Sequence, residues 1–200
     1  MKTVIAIAAF VFFAATLAEA APFDSQKLVD AAIAQVGVTV SYDPTYRNIS
    51  YPDGDVPKAS GVCSDVVIRA YRALGIDLQQ LVHEDMKKNF SAYPKTWRLS
   101  KPDANIDHRR VPNLQVFFTR HGQSLGVSHN GADYKAGDLV TWNLTGSASK
   151  PLPHIGIVTN RTSEDGLRPL VVHNIGQGVH VEDTLFTYQI TGHYRYAPAH

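Results

Sequence analysis

The sequence predicts an α+β fold, with N-terminal helices packed on a C-terminal antiparallel sheet. Three observations predict it. Up to Gly122, apolar residues recur mostly at helical spacing. From Asp138 onward the pattern changes to short β-branched runs separated by turn clusters. After residue 20 no internal repeat, low-complexity tract or linker interrupts the chain, so residues 21–200 are expected to form a single domain.

Composition narrows the class. The chain has 200 residues, 44% hydrophobic and 18% charged, with 14 Gly and 11 Pro. That excludes collagen-like, coiled-coil and disordered proteins. Nineteen basic residues face 18 acidic ones, for a formal net charge of +1, so nothing favours wrapping a nucleic-acid backbone. The single cysteine excludes an internal disulfide framework and a Cys-rich zinc site.

The elements follow in chain order. Lys2, the apolar run Val4 to Leu17 and the small residues Ala18 and Ala20 form the pattern of a secretory signal peptide cut after Ala20. The alternative is a membrane anchor, but a run of about 14 residues falls short of the roughly 20 needed to span a bilayer. No later stretch is apolar enough for stable membrane insertion. Export to the periplasm, or secretion, is expected. A first helix is predicted over Phe23 to Val36, capped by Asp24 or Ser25 and stopped by Gly37. Residues 39–60 are irregular and rich in Tyr and Pro. A second helix runs from Val62 to Leu74, closed by Gly75, and a third from Gln79 to Ala92. Residues 93–108 read as loop, and a fourth helix covers Val111 to His121, N-capped near Asn113. Strands are predicted at Asp138–Trp142, His154–Val158 and Leu170–His173, with weaker ones at Val179–Val181 and His193–Tyr196.

Cys63 opens the second helix. A thiol in a first helical turn feels the macrodipole and unpaired amides, which lower its pKa and can hold an oxyanion. The alternatives are an inert buried thiol or an intermolecular partner. A nucleophile needs a base and an orienting group. His154 begins one strand, and His173 ends the next, 19 residues later. If those strands pair, the two imidazoles lie side by side, His154 as base and His173 fixing its tautomer. Asn174 is the rival for the orienting role, but strand alternation points it to the other face. Asp65, in the first turn of the Cys63 helix, reads as a cap or polariser. The adjacent Arg109 and Arg110 can bind a carboxylate bidentately, the alternative being a local pair with Asp107. Asp107 and His108 lack metal-ligand spacing, so neither a metal nor a cofactor is expected.

Four segments together resemble the NlpC/p60 group of papain-like cell-wall hydrolases. They are Gly61–Val67 around Cys63, Ala136–Val140, His154–Val158 and Val172–Asn174. Val38–Tyr42 is similar to that family's tyrosine-bearing stretch. The resemblance covers about residues 28–196. Tyr71–Asp77 and Asn105–Asn113 resemble more closely one bacterial branch, a domain of unknown function. The resemblance implies a papain-like fold and a Cys63–His154–His173 triad, with Tyr42 as an oxyanion or substrate contact. Asp65, Arg109 and Arg110 complete the expected substrate region. Val62 and Asp65 depart from the Asp-Cys-Ser-Gly pattern of the common family, and residues 76–135 form a long insert. The function implied is an exported thiol hydrolase cutting an amide bond in peptidoglycan or its peptide fragments. The alternatives are an acyltransferase on the same triad and a non-catalytic cell-wall-binding module.

Overall fold

The computed structural model describes residues 23–198, and the expected signal peptide lies outside them. Asp24 caps α1 (Ser25–Ile33), accepting from the amides of Gln26 and Lys27 at 3.0 and 3.1 Å. The helix ends before the predicted Val36, because residues 34–37 wind into turns that close at Gly37 with φ +76°. α2 (Cys63–Ala73) closes at Gly75, whose φ of +79° suits glycine. Asp77 caps α3 (Leu78–Asn89), and a 3₁₀ turn over Phe90–Ala92 carries the chain to the predicted end. α4 (Val111–His121) matches its predicted span, but its cap does not. Arg110 takes the capping position, with Pro112 in the first turn. Asn113 lies inside that turn and donates to the Asp107 carbonyl at 3.0 Å.

Six strands form an antiparallel sheet in the order β3-β8-β4-β5-β6-β7. They are β3 (Gln123–Leu125), β4 (Leu139–Asn143), β5 (Pro153–Thr162), β6 (Pro169–Asn174), β7 (Val179–Glu182) and β8 (Gln189–Arg195). β8 begins before the predicted His193, and β3 was not predicted, being short, polar and at the sheet edge. A two-residue parallel pair, β1 (Ser41–Tyr42) with β2 (Ser60–Gly61), orders the segment read as irregular.

The alternation of β5 separates two cores. Ile155 and Ile157 pack with Leu28, Val66, Val67 and Phe118 of the helices. Val158 faces a smaller cluster with Val140, Trp142, Val171 and Leu185. Each fully buried side chain of this size contributes about 1.5–3 kcal/mol. That burial holds the start of α2 against β5 and β6, which positions the site.

Candidate active site

Cys63 is only 3% exposed and begins α2. The preceding Val62 cannot cap with its side chain. Instead the Asp65 carboxylate reaches back and accepts from the Val62 amide at 2.6 Å, half of a capping box. Gly61 permits this turn, since a Cβ there would stand 2.9 Å from Asp65 Oδ2. The amides of Ile155, the residue after His154, and of Ser64 and Cys63 itself point enough towards the sulfur to lower its pKa. The sulfur is therefore seated against the stretch of β5 that carries His154.

His154 and His173 meet as the spacing predicts. His154 Nε2 lies 2.8 Å from His173 Nδ1, and both side chains are buried. Gly156 makes room between the strands, because a Cβ there would stand 3.2 Å from that of His173. Asn174 faces elsewhere. Its amide donates to the carbonyls of Ser41 and Gly61 and ties β6 to the β1–β2 pair.

The electrostatics reverse one expectation. Burial pushes the Cys63 thiol up to about 11, and the Asp65 charge adds to it. The three amides pull the other way and lose. Burial, and behind it the neighbouring His173, pushes the His154 imidazole down to about 3. Burial thus disfavours both the thiolate of Cys63 and the imidazolium of His154. Tyr42 sits against Cys63, and burial followed by the Cys63 and Asp65 charges raises its pKa, so its hydroxyl keeps its proton.

The two adjacent arginines are held differently. The fork of Arg109 holds Asp65, with Nε to Oδ1 at 2.9 Å and Nη2 to Oδ2 at 3.0 Å. Its remaining donors reach the carbonyls of Thr45 and Asp43. Asp65 is also buried and bound on both oxygens, by Arg109 and the Val62 amide. Arg110 pairs with Asp107 at 3.0 Å and lies 4.2 Å over the Trp97 ring. A cleft of about 330 Å³ opens at Cys63, with Tyr42, Trp97, Arg109, Arg110, Pro112 and Pro153 among its walls. Residues 76–135 therefore build one side of the cleft.

Two contributors were missed in the sequence. Trp97 sits in a Pro-bearing loop with no periodicity to mark it. Glu182 stands 2.8 Å from His173 Nε2. The alternation Val179-His180-Val181-Glu182 after a Gly-Gln-Gly turn is the signal that could have placed it beside His173. Among the described residues, no group of three or more His, Cys, Asp or Glu side chains is placed to hold a metal ion. No helix there is long and apolar enough to cross a membrane.

The family described as domain of unknown function DUF1287 matches residues 29–196. The uncharacterized protein YijF of Escherichia coli K12 is 54% identical over 169 residues, covering 84% of this chain and 80% of that protein. Among solved structures, NlpC1 of Trichomonas vaginalis aligns over 88% of this chain at 16% identity with a TM-score of 0.48. An NLP/P60-family protein of Staphylococcus aureus Mu50, similar to lipoprotein, aligns over 90% at 14% identity with a TM-score of 0.41. This chain spans 45% and 44% of those two structures, under half of each.

Proposed function

The chain belongs to the DUF1287 family, and from that premise we propose that it is an exported thiol hydrolase that cleaves an amide bond in peptidoglycan peptides. One observation carries the reading. A cysteine at a helix start lines a cleft and lies near the amide next to His154, whose Nε2 is 2.8 Å from His173 Nδ1. That arrangement supports reading Cys63 as the nucleophile, His154 as the base and His173 as the orienting group. The order of a helix-borne cysteine followed by strand-borne histidines is also that of papain-like enzymes.

The chemistry starts from the neutral thiol and imidazole that burial favours. His154 Nδ1 takes the thiol proton as the sulfur bonds to the substrate carbonyl carbon. Attack and proton transfer proceed together, so neither buried charge stands alone. The carbonyl oxygen takes the negative charge, near the start of α2 and the protonated Tyr42 hydroxyl. The C–N bond then breaks, and His154 returns the proton to the leaving amine. Water attacks the resulting thioester as His154 accepts one of its protons; the C–S bond then breaks, His154 returns that proton to the sulfur, and the product leaves as a carboxylic acid that ionises in solvent. Arg110 over Trp97, at the cleft wall, is the cation offered to a stem-peptide carboxylate.

The test is digestion of purified peptidoglycan, with soluble products identified by mass spectrometry. The wild type releases peptides with one new amine and one new carboxylate terminus, and Cys63→Ala and His154→Ala release none. Equal release by wild type and Cys63→Ala overturns the reading. Undigested wall that retains the protein points to a binding module instead.

A further inference from the structure

His173 has a second partner beyond His154. β6 and β7 pair with His173 opposite His180, which puts Glu182 diagonally across from His173 on the same face. Glu182 Oε2 comes to 2.8 Å from His173 Nε2, while the Glu182 side chain keeps 43% of its surface in solvent. The other groups around the ring are His154, His180 and the Thr184 hydroxyl, the last at 3.5 Å from Nε2. A line of polar atoms therefore runs from the solvent-facing carboxylate of Glu182 through His173 to His154.

The protons along that line follow from donor and acceptor capacity. An ionised carboxylate only accepts, whereas the Thr184 hydroxyl can donate or accept, so Glu182 at 2.8 Å favours the hydrogen on His173 Nε2. Burial lowers the His173 pKa against the opposing pull of Glu182, which favours the neutral ring. A neutral ring protonated at Nε2 has its lone pair on Nδ1. His154 Nε2 stands 2.8 Å from that lone pair and must donate to it. The lone pair of His154 is then on Nδ1. The reverse order puts a proton on Nδ1 and removes the base.

We propose that Glu182 is a positioning residue that sets the tautomer of both histidines, through His173, and so keeps His154 Nδ1 ready to take a proton. This rests on the reading of His154 as the base of a thiol hydrolase. Glu182 touches neither the thiol nor the substrate. It acts through His173, one residue further back than the carboxylate of a Ser-His-Asp triad, which bonds the base itself.

Two-bond ¹H–¹⁵N spectra of the purified protein labelled at histidine nitrogen read the tautomers directly. Signals are assigned by their loss in His154→Gln and His173→Gln. The wild type is expected to show both rings protonated at Nε2. In Glu182→Gln the side-chain amide can donate, so the Nδ1-protonated form of both rings appears. Glu182→Ala, which leaves only the Thr184 hydroxyl near Nε2 and that group can donate or accept, gives a mixture. Peptidoglycan hydrolysis by Glu182→Gln falls in kcat by about ten- to a hundredfold with KM unchanged. Wild-type His154 protonated at Nδ1, or Nε2 protonation unchanged in both variants, overturns the proposal. So does an unchanged kcat in Glu182→Gln. If the tautomers respond as expected but Cys63→Ala releases the same peptides as wild type, the hydrolase reading fails and the assignment of Glu182 to the tautomers stands.

Discussion

Replacing Arg109 with methionine removes the cation from a pair whose side chains are only 2% and 4% exposed. Asp65 would keep one bond, from the Val62 amide at 2.6 Å, and lose both guanidinium bonds. The carbonyls of Thr45 and Asp43 would lose their donor in the loop that follows Tyr42. Breaking a buried pair from one side costs about 3–5 kcal/mol, because the remaining charge stays buried without compensation. For a protein of this size that lowers Tm by roughly 6–20 °C. Thermal and urea unfolding followed by circular dichroism measure it. Asp65→Leu combined with Arg109→Met removes both charges and is expected to be less destabilised than Arg109→Met alone. An arginine waiting for a substrate carboxylate behaves differently, with stability within about 0.5 kcal/mol of wild type and a raised KM. That result for Arg109→Met would refute the assignment of Arg109 to the scaffold of the α2 start.

Three further outcomes are expected. In Gly156→Ala the new Cβ meets Val171 Cγ1 at 2.6 Å and His173 Cβ at 3.2 Å, so the histidine pair is forced apart. The variant should lose about 1–3 kcal/mol in unfolding and most of its hydrolysis, whereas wild-type turnover would contradict the packing argument. His108 is buried, and burial followed by Arg109 and Arg72 lowers its pKa from 6.5 to about 3. The unfolded chain binds the proton first, so this contribution to stability is complete above about 6.5 and is lost as pH falls towards about 3. Unfolding free energy should therefore fall less steeply over that window in His108→Leu, and identical slopes would exclude His108 as a cause. Alkylation of Cys63 by iodoacetamide should be slow at neutral pH and climb towards about 11, while a plateau reached below pH 8 would mean a preformed thiolate.

The sequence made the local parts of the site legible. Gly61 before Cys63 and the apolar spacing of Val66, Val67 and Ala70 mark a helix start, and the structure begins α2 at Cys63. The β-branched runs around His154 and His173 mark two strands, and their antiparallel pairing brings the rings to 2.8 Å. What stayed hidden depends on long-range packing. Asp65 and Arg109 are 44 residues apart, and no local pattern announces that one will occupy the other. The helix dipole and the unpaired amides of a first turn predict an acidic thiol. Burial is a property of the whole fold, and here it outweighs the three amides that point towards the sulfur. The cap of α4 moved for a similar reason, since Asn113 is drawn inward to the Asp107 carbonyl.

The most direct test of the account is the intact mass of the protein, quenched in acid during reaction with isolated peptidoglycan peptides. The account predicts a transient adduct with the mass of the acyl fragment, mapped to Cys63 and lost as product forms. Cys63→Ala forms none, and His154→Ala accumulates little. Peptide release from the wild type with no adduct on Cys63, persisting in Cys63→Ala, would contradict it.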